Sequence, residues 1–137
     1  MYIKLKPLIS KKIPKIMLPK SRGKIALISV HGDPAVDIGK EEAGGQNVYV
    51  RQVGEALSRQ GWQVDMFTRC SDVNQEKIVE HNSNCRTIRL TAGPEKFVAR
   101  QKIFNYLPEF VEAFFNYQHQ QKTIYPIVHT NYWLSAW

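Results

Sequence analysis

Residues 44–50, Gly-Gly-Gln-Asn-Val-Tyr-Val, join a long polar loop to the first amphipathic helix that the sequence predicts. Two adjacent glycines carry no Cβ, so a ligand can approach the bare main chain there. The helix behind them directs its unpaired N–H groups and the positive end of its dipole at the same place. Gly44 and Gly45 are therefore predicted to bind an anion, most naturally a phosphate. A Gly-Gly pair taken alone fits a flexible hinge equally well, so its neighbours have to decide between the two.

The flanking segments predict a strand, helix, strand unit around this stretch. Residues 24–30, Lys-Ile-Ala-Leu-Ile-Ser-Val, form an apolar run without strict alternation, which is typical of a strand buried on both faces. Helical spacing then follows, and Gly61 is placed to end that helix as a left-handed cap. Residues 62–68 read as a second strand. The glycine pair would then lie beyond the carboxyl end of the first strand, where open α/β sheets bind ligands.

The rest of the chain continues the α/β pattern. Residues 77–90 predict a strand pair, or a loop followed by one strand, and helices are expected over residues 96–105 and 108–121. Residues 125–130 predict another buried parallel strand, and a further helix begins near Leu134. The expected fold is a Rossmann-like open parallel sheet with helices on both faces. Because apolar side chains crowd the last residues, we expect an amino-terminal piece of a longer protein, truncated at its carboxyl end.

Composition and charge indicate one globular domain behind a basic leader. The chain has 137 residues, 43% of them hydrophobic and 23% charged, with a net charge of +7. Eight of its 19 Lys and Arg residues lie within residues 1–24, which leaves 11 basic against 12 acidic residues in the remainder. The domain over residues 24–137 therefore has no basic excess, and no specific nucleic-acid partner is predicted.

The leader, residues 1–23, alternates apolar residues with lysines and is interrupted by three prolines. It is expected to be disordered, with weak contact to an anionic membrane surface as the alternative. No secretory signal or membrane-spanning run is present. Cys70 and Cys85 have neither metal spacing nor an evident partner, so we expect free thiols and a cytoplasmic location.

Polar residues follow the predicted first and last strands and are expected to face the glycine pair across one crevice. They are His31, Asp33, His129, Asn131 and Tyr132. A histidine there could donate a hydrogen bond to an anion, bind a sugar hydroxyl or act as a base, although each histidine taken alone also fits a structural role. Gln46 offers a donor and an acceptor that suit a sugar hydroxyl.

Several classes of site are excluded by missing motifs. The sequence has no G-x-G-x-x-G after the first strand and no G-x-x-x-x-G-K-[ST], so neither a nicotinamide cofactor nor a P-loop nucleotide is predicted. It has no G-x-S-x-G nucleophile elbow. No clustered ligands indicate a metal, and no cofactor is expected.

Five segments together resemble the amino-terminal domain of family 4 retaining glycosyltransferases, in particular its sucrose-phosphate synthase, sucrose synthase and mycothiol-pathway branches. The resemblance covers residues 24–137. It rests on His31-Gly32-Asp33-Pro34, residues 41–50, residues 53–57, residues 61–65 and His129-Thr130-Asn131-Tyr132-Trp133.

That resemblance implies the amino-terminal, acceptor-side half of a two-domain GT-B enzyme, whose carboxyl-terminal domain binds a nucleotide sugar such as UDP-glucose. Gly44 and Gly45 would approach the donor phosphates. Gln46, with His31, Asp33 and Tyr132, would contact the acceptor or the transferred sugar. The catalytic candidates are His129 and Asn131. Many relatives have a second histidine where this chain has Asn131, so a role that needs an imidazole there does not carry over.

The leading hypothesis is therefore transfer of a hexosyl group from a nucleotide sugar to a sugar or sugar-phosphate acceptor, in sucrose metabolism or a related pathway. The 137-residue chain alone is expected to be inactive, because the resemblance assigns donor binding to the second domain. The alternative is a non-catalytic α/β module that binds a phosphorylated sugar. A third hypothesis is surface binding through the basic leader.

Overall fold

The computed structural model describes residues 21–37 and 44–137, so the disorder expected for residues 1–20 lies outside the described residues. The strands are β1 (Gly23–Ile28), β2 (Trp62–Arg69), β3 (Ile78–Asn82), β4 (Cys85–Leu90) and β5 (Ile127–Thr130). The helices are α1 (Gly45–Arg59), α2 (Arg100–Ile103), α3 (Leu107–Gln120) and α4 (Trp133–Ala136), with a 3-10 turn over Phe104–Tyr106.

The five strands form one mostly parallel sheet in the order β3-β4-β2-β1-β5. β1 runs parallel to both β2 and β5, and β2 runs parallel to β4. Only β3, at one edge, is antiparallel to its neighbour. Residues 77–90 therefore form a strand pair, which was the first of the two structures predicted for them, and not a loop followed by one strand. From β1 the chain adds β2 and β4 on one side of the sheet, and β5 is then added on the other side of β1. The carboxyl ends of these two strands therefore flank a topological switch point, where α/β sheets bind ligands.

Helices cover both faces of the sheet, because successive residues of a strand point to opposite sides. On one face Leu27 and Met66 pack with Val50 of α1. On the other face Ile28 and Phe67 pack with Phe110 and other apolar residues of α3. This arrangement confirms the α/β fold with helices on both faces.

Two predicted elements differ from the observed ones. The helix expected over residues 96–105 begins only at Arg100, because residues 91–99 form a loop whose carbonyls bond elsewhere. The strand expected to be buried is instead an exposed edge strand of four residues, with Val128 48% exposed. Its apolar composition suggested burial, yet β1 is its only strand neighbour among the described residues.

No helix in the described ranges is long and apolar enough to cross a membrane.

Candidate functional site

A cleft of about 720 Å³ opens at the carboxyl ends of β1 and β2, beside the switch point. Its walls come from the loop after β1, the start of α1, the end of β2, the loop before α2, and the residues that follow β5. The lining residues are Val30, His31, Asp33, Val36, Gly44, Gly45, Gln46, Asn47, Thr68, Arg69, Ser71, Phe97, Val98, Arg100, Ile103 and Tyr132. The crevice predicted from the sequence is therefore present, with six of the eight predicted site residues on its walls.

The amino-terminal end of α1 is open towards the cleft. Gly44 precedes the helix in an extended conformation, at φ −86° and ψ 171°, and no side chain caps the first turn. A Cβ added at Gly44 or Gly45 would meet no atom of the described residues within 4 Å, and neither residue has a positive φ. The glycine pair is thus not imposed by backbone strain. Among the described residues it leaves open space in front of the first N–H groups of the helix, where an anion is favoured.

Gln46 and Asn47 join the helix start to the loop after β1. The Gln46 amide Nε2 donates to Ser29 Oγ at 3.0 Å, and Ser29 Oγ donates to the Gly32 carbonyl at 2.7 Å. Asn47 Nδ2 donates to the Asp33 carbonyl at 3.1 Å. This close packing favours a glycine at position 32, because a Cβ there would lie 3.0 Å from Ser29 Oγ and 3.1 Å from Asn47 Oδ1 and would push these atoms aside.

His31 presents an unsatisfied ring nitrogen within the cleft wall. Its Nδ1 is buried and has no hydrogen-bond partner among the described residues. Burial lowers the pKa of His31 below its ordinary value of 6.5, and the nearby positive charge of Arg100 lowers it further. The imidazole is therefore neutral at pH 7, so it can exchange a hydrogen bond with an uncharged group such as a hydroxyl.

Tyr132 lies between His31 and Arg100. Its ring centroid is 5.0 Å from that of His31, and the Arg100 guanidinium carbon lies 5.5 Å from the Tyr132 ring centroid. Arg100 Nη1 also donates to the Tyr132 hydroxyl at 3.2 Å. Tyr132 has φ 70° and ψ 158°, a region that residues other than glycine rarely occupy. Such strained residues concentrate at functional sites, where the surrounding structure holds them in place.

Asp33 lines the cleft, but its carboxylate is already engaged. Arg89 Nε donates to Asp33 Oδ2 at 2.7 Å, and the Ala35 amide donates to Oδ1 at 2.8 Å. Both side chains of this ion pair are less than a tenth exposed. The acceptor-binding role predicted for Asp33 therefore competes with a structural role that uses both carboxylate oxygens.

The two catalytic candidates, His129 and Asn131, do not line the cleft. Asn131 is buried, and both its backbone N–H and its side-chain Nδ2 donate to the Ile28 carbonyl, at 2.8 and 3.2 Å. It thus ties the end of β5 to the end of β1. His129 is exposed on β5, paired in register with Leu27 on the α1 side of the sheet. The catalytic role of either residue stays a prediction.

Sequence reasoning missed Arg69, Phe97 and Arg100, which all line the cleft. Arg69 is the last residue of β2, so the strand-end rule that selects His31 selects it as well. Arg100 and Phe97 carried no such signal, because they belong to a segment that was expected to be helical throughout. The two guanidiniums give the cleft a positive character, and within the described ranges no group of three acidic, histidine or cysteine side chains could hold a metal.

Comparisons with known proteins agree with this geometry. Residues 44–137 match the family model described as Glycosyl transferase 4-like domain. A D-inositol 3-phosphate glycosyltransferase of Corynebacterium kroppenstedtii is 35% identical over 122 residues, which are 89% of this chain and 27% of that protein. The corresponding protein of Xylanimonas cellulosilytica is 34% identical over 121 residues, covering 87% of this chain and 29% of its own length.

A solved structure shows the same fold. It is a sucrose-phosphate synthase from Thermosynechococcus elongatus, 60% identical, with a TM-score of 0.78 over 85% of this chain and 29% of that chain. The present chain therefore spans less than a third of the length of each of these three relatives. The resemblance found in the sequence motifs is confirmed.

Proposed function

Because this chain belongs to the family of glycosyl transferase 4-like domains, we propose that it forms the acceptor-side part of a retaining glycosyltransferase. The reaction would move a hexosyl group from a nucleotide sugar, such as UDP-glucose, to a sugar or sugar-phosphate acceptor. The observation that carries this proposal is the cleft at the switch point. It combines an open helix start at Gly44 and Gly45, a neutral His31 and the guanidinium of Arg100.

These groups match the parts of a phosphorylated polyol. The names of these relatives each contain a phosphorylated polyhydroxy compound, D-inositol 3-phosphate or sucrose phosphate. A guanidinium provides the planar donors that a phosphate group prefers, so Arg100 is assigned to the acceptor phosphate. His31 Nδ1 is assigned to an acceptor hydroxyl, since a buried polar atom without a partner gains most from one. Gln46 lines the cleft as well and is assigned to a second hydroxyl.

The open start of α1 is assigned to a donor phosphate. Backbone N–H groups and the helix dipole stabilise negative charge there, and a leaving diphosphate gains charge as its bond to the sugar breaks. The chain's contribution to the reaction would then be positioning and electrostatic stabilisation. Since the matched share is less than a third of the relatives' length, we expect the chain alone to bind acceptor without turnover.

Calorimetric titration of the 137-residue chain with D-inositol 3-phosphate, D-glucose 6-phosphate and their unphosphorylated parents tests the acceptor assignment. Phosphorylated compounds should bind more tightly, and Arg100→Gln should weaken that binding about tenfold or more, because a hydrogen bond between charged groups is lost. Arg59→Gln is the matched control, as Arg59 is an exposed arginine on α1 away from the cleft lining. Equal binding of phosphorylated and unphosphorylated compounds would contradict the proposal.

The alternative function is a module that binds a phosphorylated sugar without catalysis. It is favoured by the absence of His129 and Asn131 from the cleft walls. Nucleotide release from UDP-glucose or ADP-glucose, measured for the complete gene product with a bound acceptor, separates the two functions. A cytoplasmic location stays a prediction, supported by the free thiols of Cys70 and Cys85.

A further inference from the structure

The loop between β4 and α2, residues 91–99, forms one wall of the cleft and is called the wall loop below. Phe97 and Val98 of this loop line the cleft, and Arg100 follows directly at the start of α2. Phe97 is 70% exposed, so packing of its ring does not fix the loop. The two ends of the loop are anchored by apolar packing, since Ala92 is buried and Val98 packs against the core, so the segment between them depends on polar contacts of its backbone.

Arg69, at the end of β2, supplies several of those contacts. Its Nη1 donates to the Pro94 carbonyl at 2.7 Å and to the Ala92 carbonyl at 3.4 Å, and its Nη2 donates to the Lys96 carbonyl at 2.8 Å. One guanidinium thus donates to the carbonyls of three alternate residues of the wall loop, 92, 94 and 96. The planar fork of arginine suits this task, whereas the ammonium of lysine is a compact point charge.

The buried charge of Arg69 has no carboxylate partner among the described residues. The side chain is 4% exposed, and its hydrogen bonds are to the three carbonyl oxygens alone. A buried cation is costly unless it is paired or hydrogen-bonded, so the carbonyl dipoles of the wall loop compensate the charge. If these hydrogen bonds broke, the Arg69 cation and the loop carbonyls would all lose their partners. The conformation of the loop is therefore coupled to Arg69.

Further contacts fix the sides of the wall loop. Lys77 Nζ donates to the Glu95 carboxylate, which also accepts from the Thr91 hydroxyl. The Gly93 amide donates to Glu109 Oε2 of α3 at 2.7 Å. Gly93 has φ +65°, and a Cβ there would lie 2.4 Å from the Tyr106 ring, so only glycine fits this turn. The hydrogen bonds to Glu95 and Glu109 are exposed to solvent, whereas those of Arg69 are buried or partly buried.

We infer that Arg69 is a positioning residue: its guanidinium holds the wall loop so that Phe97 and Arg100 face the open start of α1. Arg69 acts on the bound ligand through Arg100, because both of its terminal nitrogens, Nη1 and Nη2, already donate to carbonyls of the loop. The part of this inference that concerns the ligand rests on the proposed function. The part that concerns the loop does not.

Hydrogen exchange of the 137-residue chain, followed by mass spectrometry, tests the loop directly. Arg69→Gln should speed the exchange of residues 91–97 about tenfold or more, because the loss of bonds to a charged donor favours local opening. Arg69→Lys should give an intermediate rate and serves as the milder change if Arg69→Gln does not fold. Arg59→Gln should leave the wall loop unchanged. Unchanged exchange of this loop in a folded Arg69 variant would overturn the inference.

A double-mutant cycle then tests the route through Arg100. Arg69→Lys should weaken D-inositol 3-phosphate binding several-fold and reduce the preference for the phosphorylated compound, as measured by calorimetry. In an Arg100→Gln background the same change should have little further effect, because coupled residues are non-additive. Equal effects of Arg69→Lys in both backgrounds would show that Arg69 acts independently of Arg100 and overturn the positioning role.

The two tests fail separately. If the unaltered chain binds no sugar phosphate, the proposed acceptor site is wrong, and the exchange experiment still decides whether Arg69 holds the wall loop. If binding is present and the loop opens in Arg69→Lys while affinity and phosphate preference stay unchanged, the loop has no influence on the ligand. That outcome overturns the inference and leaves the proposed function standing.

Discussion

The guanidinium of Arg89 donates to the carboxylate of Asp33 at 2.7 Å, joining β4 to the loop after β1 in an ion pair that is nearly inaccessible to solvent. Arg89 Nη1 donates to the Glu76 carbonyl as well, so its charge is well satisfied. The pair thus ties β4 to the loop after β1, although β2 lies between these two strands in the sheet. Through this ion pair Asp33 stabilises the loop after β1, which forms part of the cleft wall.

Asp33→Ala should lower the free energy of unfolding by about 3–5 kcal/mol, because it leaves the Arg89 charge buried without a partner. The double variant with Arg89→Met should recover most of that loss, since no isolated charge remains. Urea unfolding of the single and double variants measures both. A stable Asp33→Ala variant that loses only acceptor binding would instead show that the carboxylate serves the ligand.

Gly45→Val and Gln46→Ala should affect the binding of different ligands. Among the described residues no atom lies near the position of a Cβ at Gly45, and its φ is not positive, so Gly45→Val should fold, yet its branched side chain would occupy the approach to the helix start. We expect it to abolish binding of nucleotide sugar in the complete gene product. Gln46→Ala removes hydrogen bonds and should weaken acceptor binding by about 0.5–1.5 kcal/mol. Calorimetry with both ligands checks this, and near-normal binding by Gly45→Val would remove the argument for an anion site.

Gly32→Ala and Gly44→Ala form a matched pair. A methyl group at Gly32 would press on Ser29 Oγ and Asn47 Oδ1, whereas one at Gly44 has no neighbour within 4 Å in the part of the chain that the structure describes. Gly32→Ala should therefore cost about 1–3 kcal/mol of stability, as overpacked sites do, and should displace Gln46. Thermal unfolding should show little change for Gly44→Ala. Equal melting temperatures for the two variants would contradict the close packing at Gly32.

His31 should make the protein less stable in mild acid. Its folded-state pKa lies below the ordinary 6.5, so the unfolded chain binds more protons as the pH falls through 6.5, and stability decreases. His31→Gln should reduce the loss of unfolding free energy between about pH 7.5 and about pH 5.5. The exposed His119 on α3 offers a control variant, His119→Gln. An identical pH dependence for the unaltered chain and His31→Gln would show that the imidazole is not desolvated.

The sequence by itself determined the strand, helix, strand unit from β1 to β2 and the position of the glycine pair at the start of α1. These features depend on interactions between near neighbours along the chain. Apolar periodicity sets the elements, and Gly61, at φ 93°, ends α1 as its position predicted. The family motifs lie in the same local segments, so they too could be recognised without a structure.

Only the tertiary structure decided which polar side chains meet. Tyr132 reaches His31 because β5 pairs with β1, and Arg69 reaches the wall loop because that loop crosses the end of β2. A polar residue at a strand end has the same local sequence whether its partner is a ligand, as proposed for His31, or a buried arginine, as found for Asp33. Its partner depends on strand order and register, which are set by contacts between residues far apart in the chain.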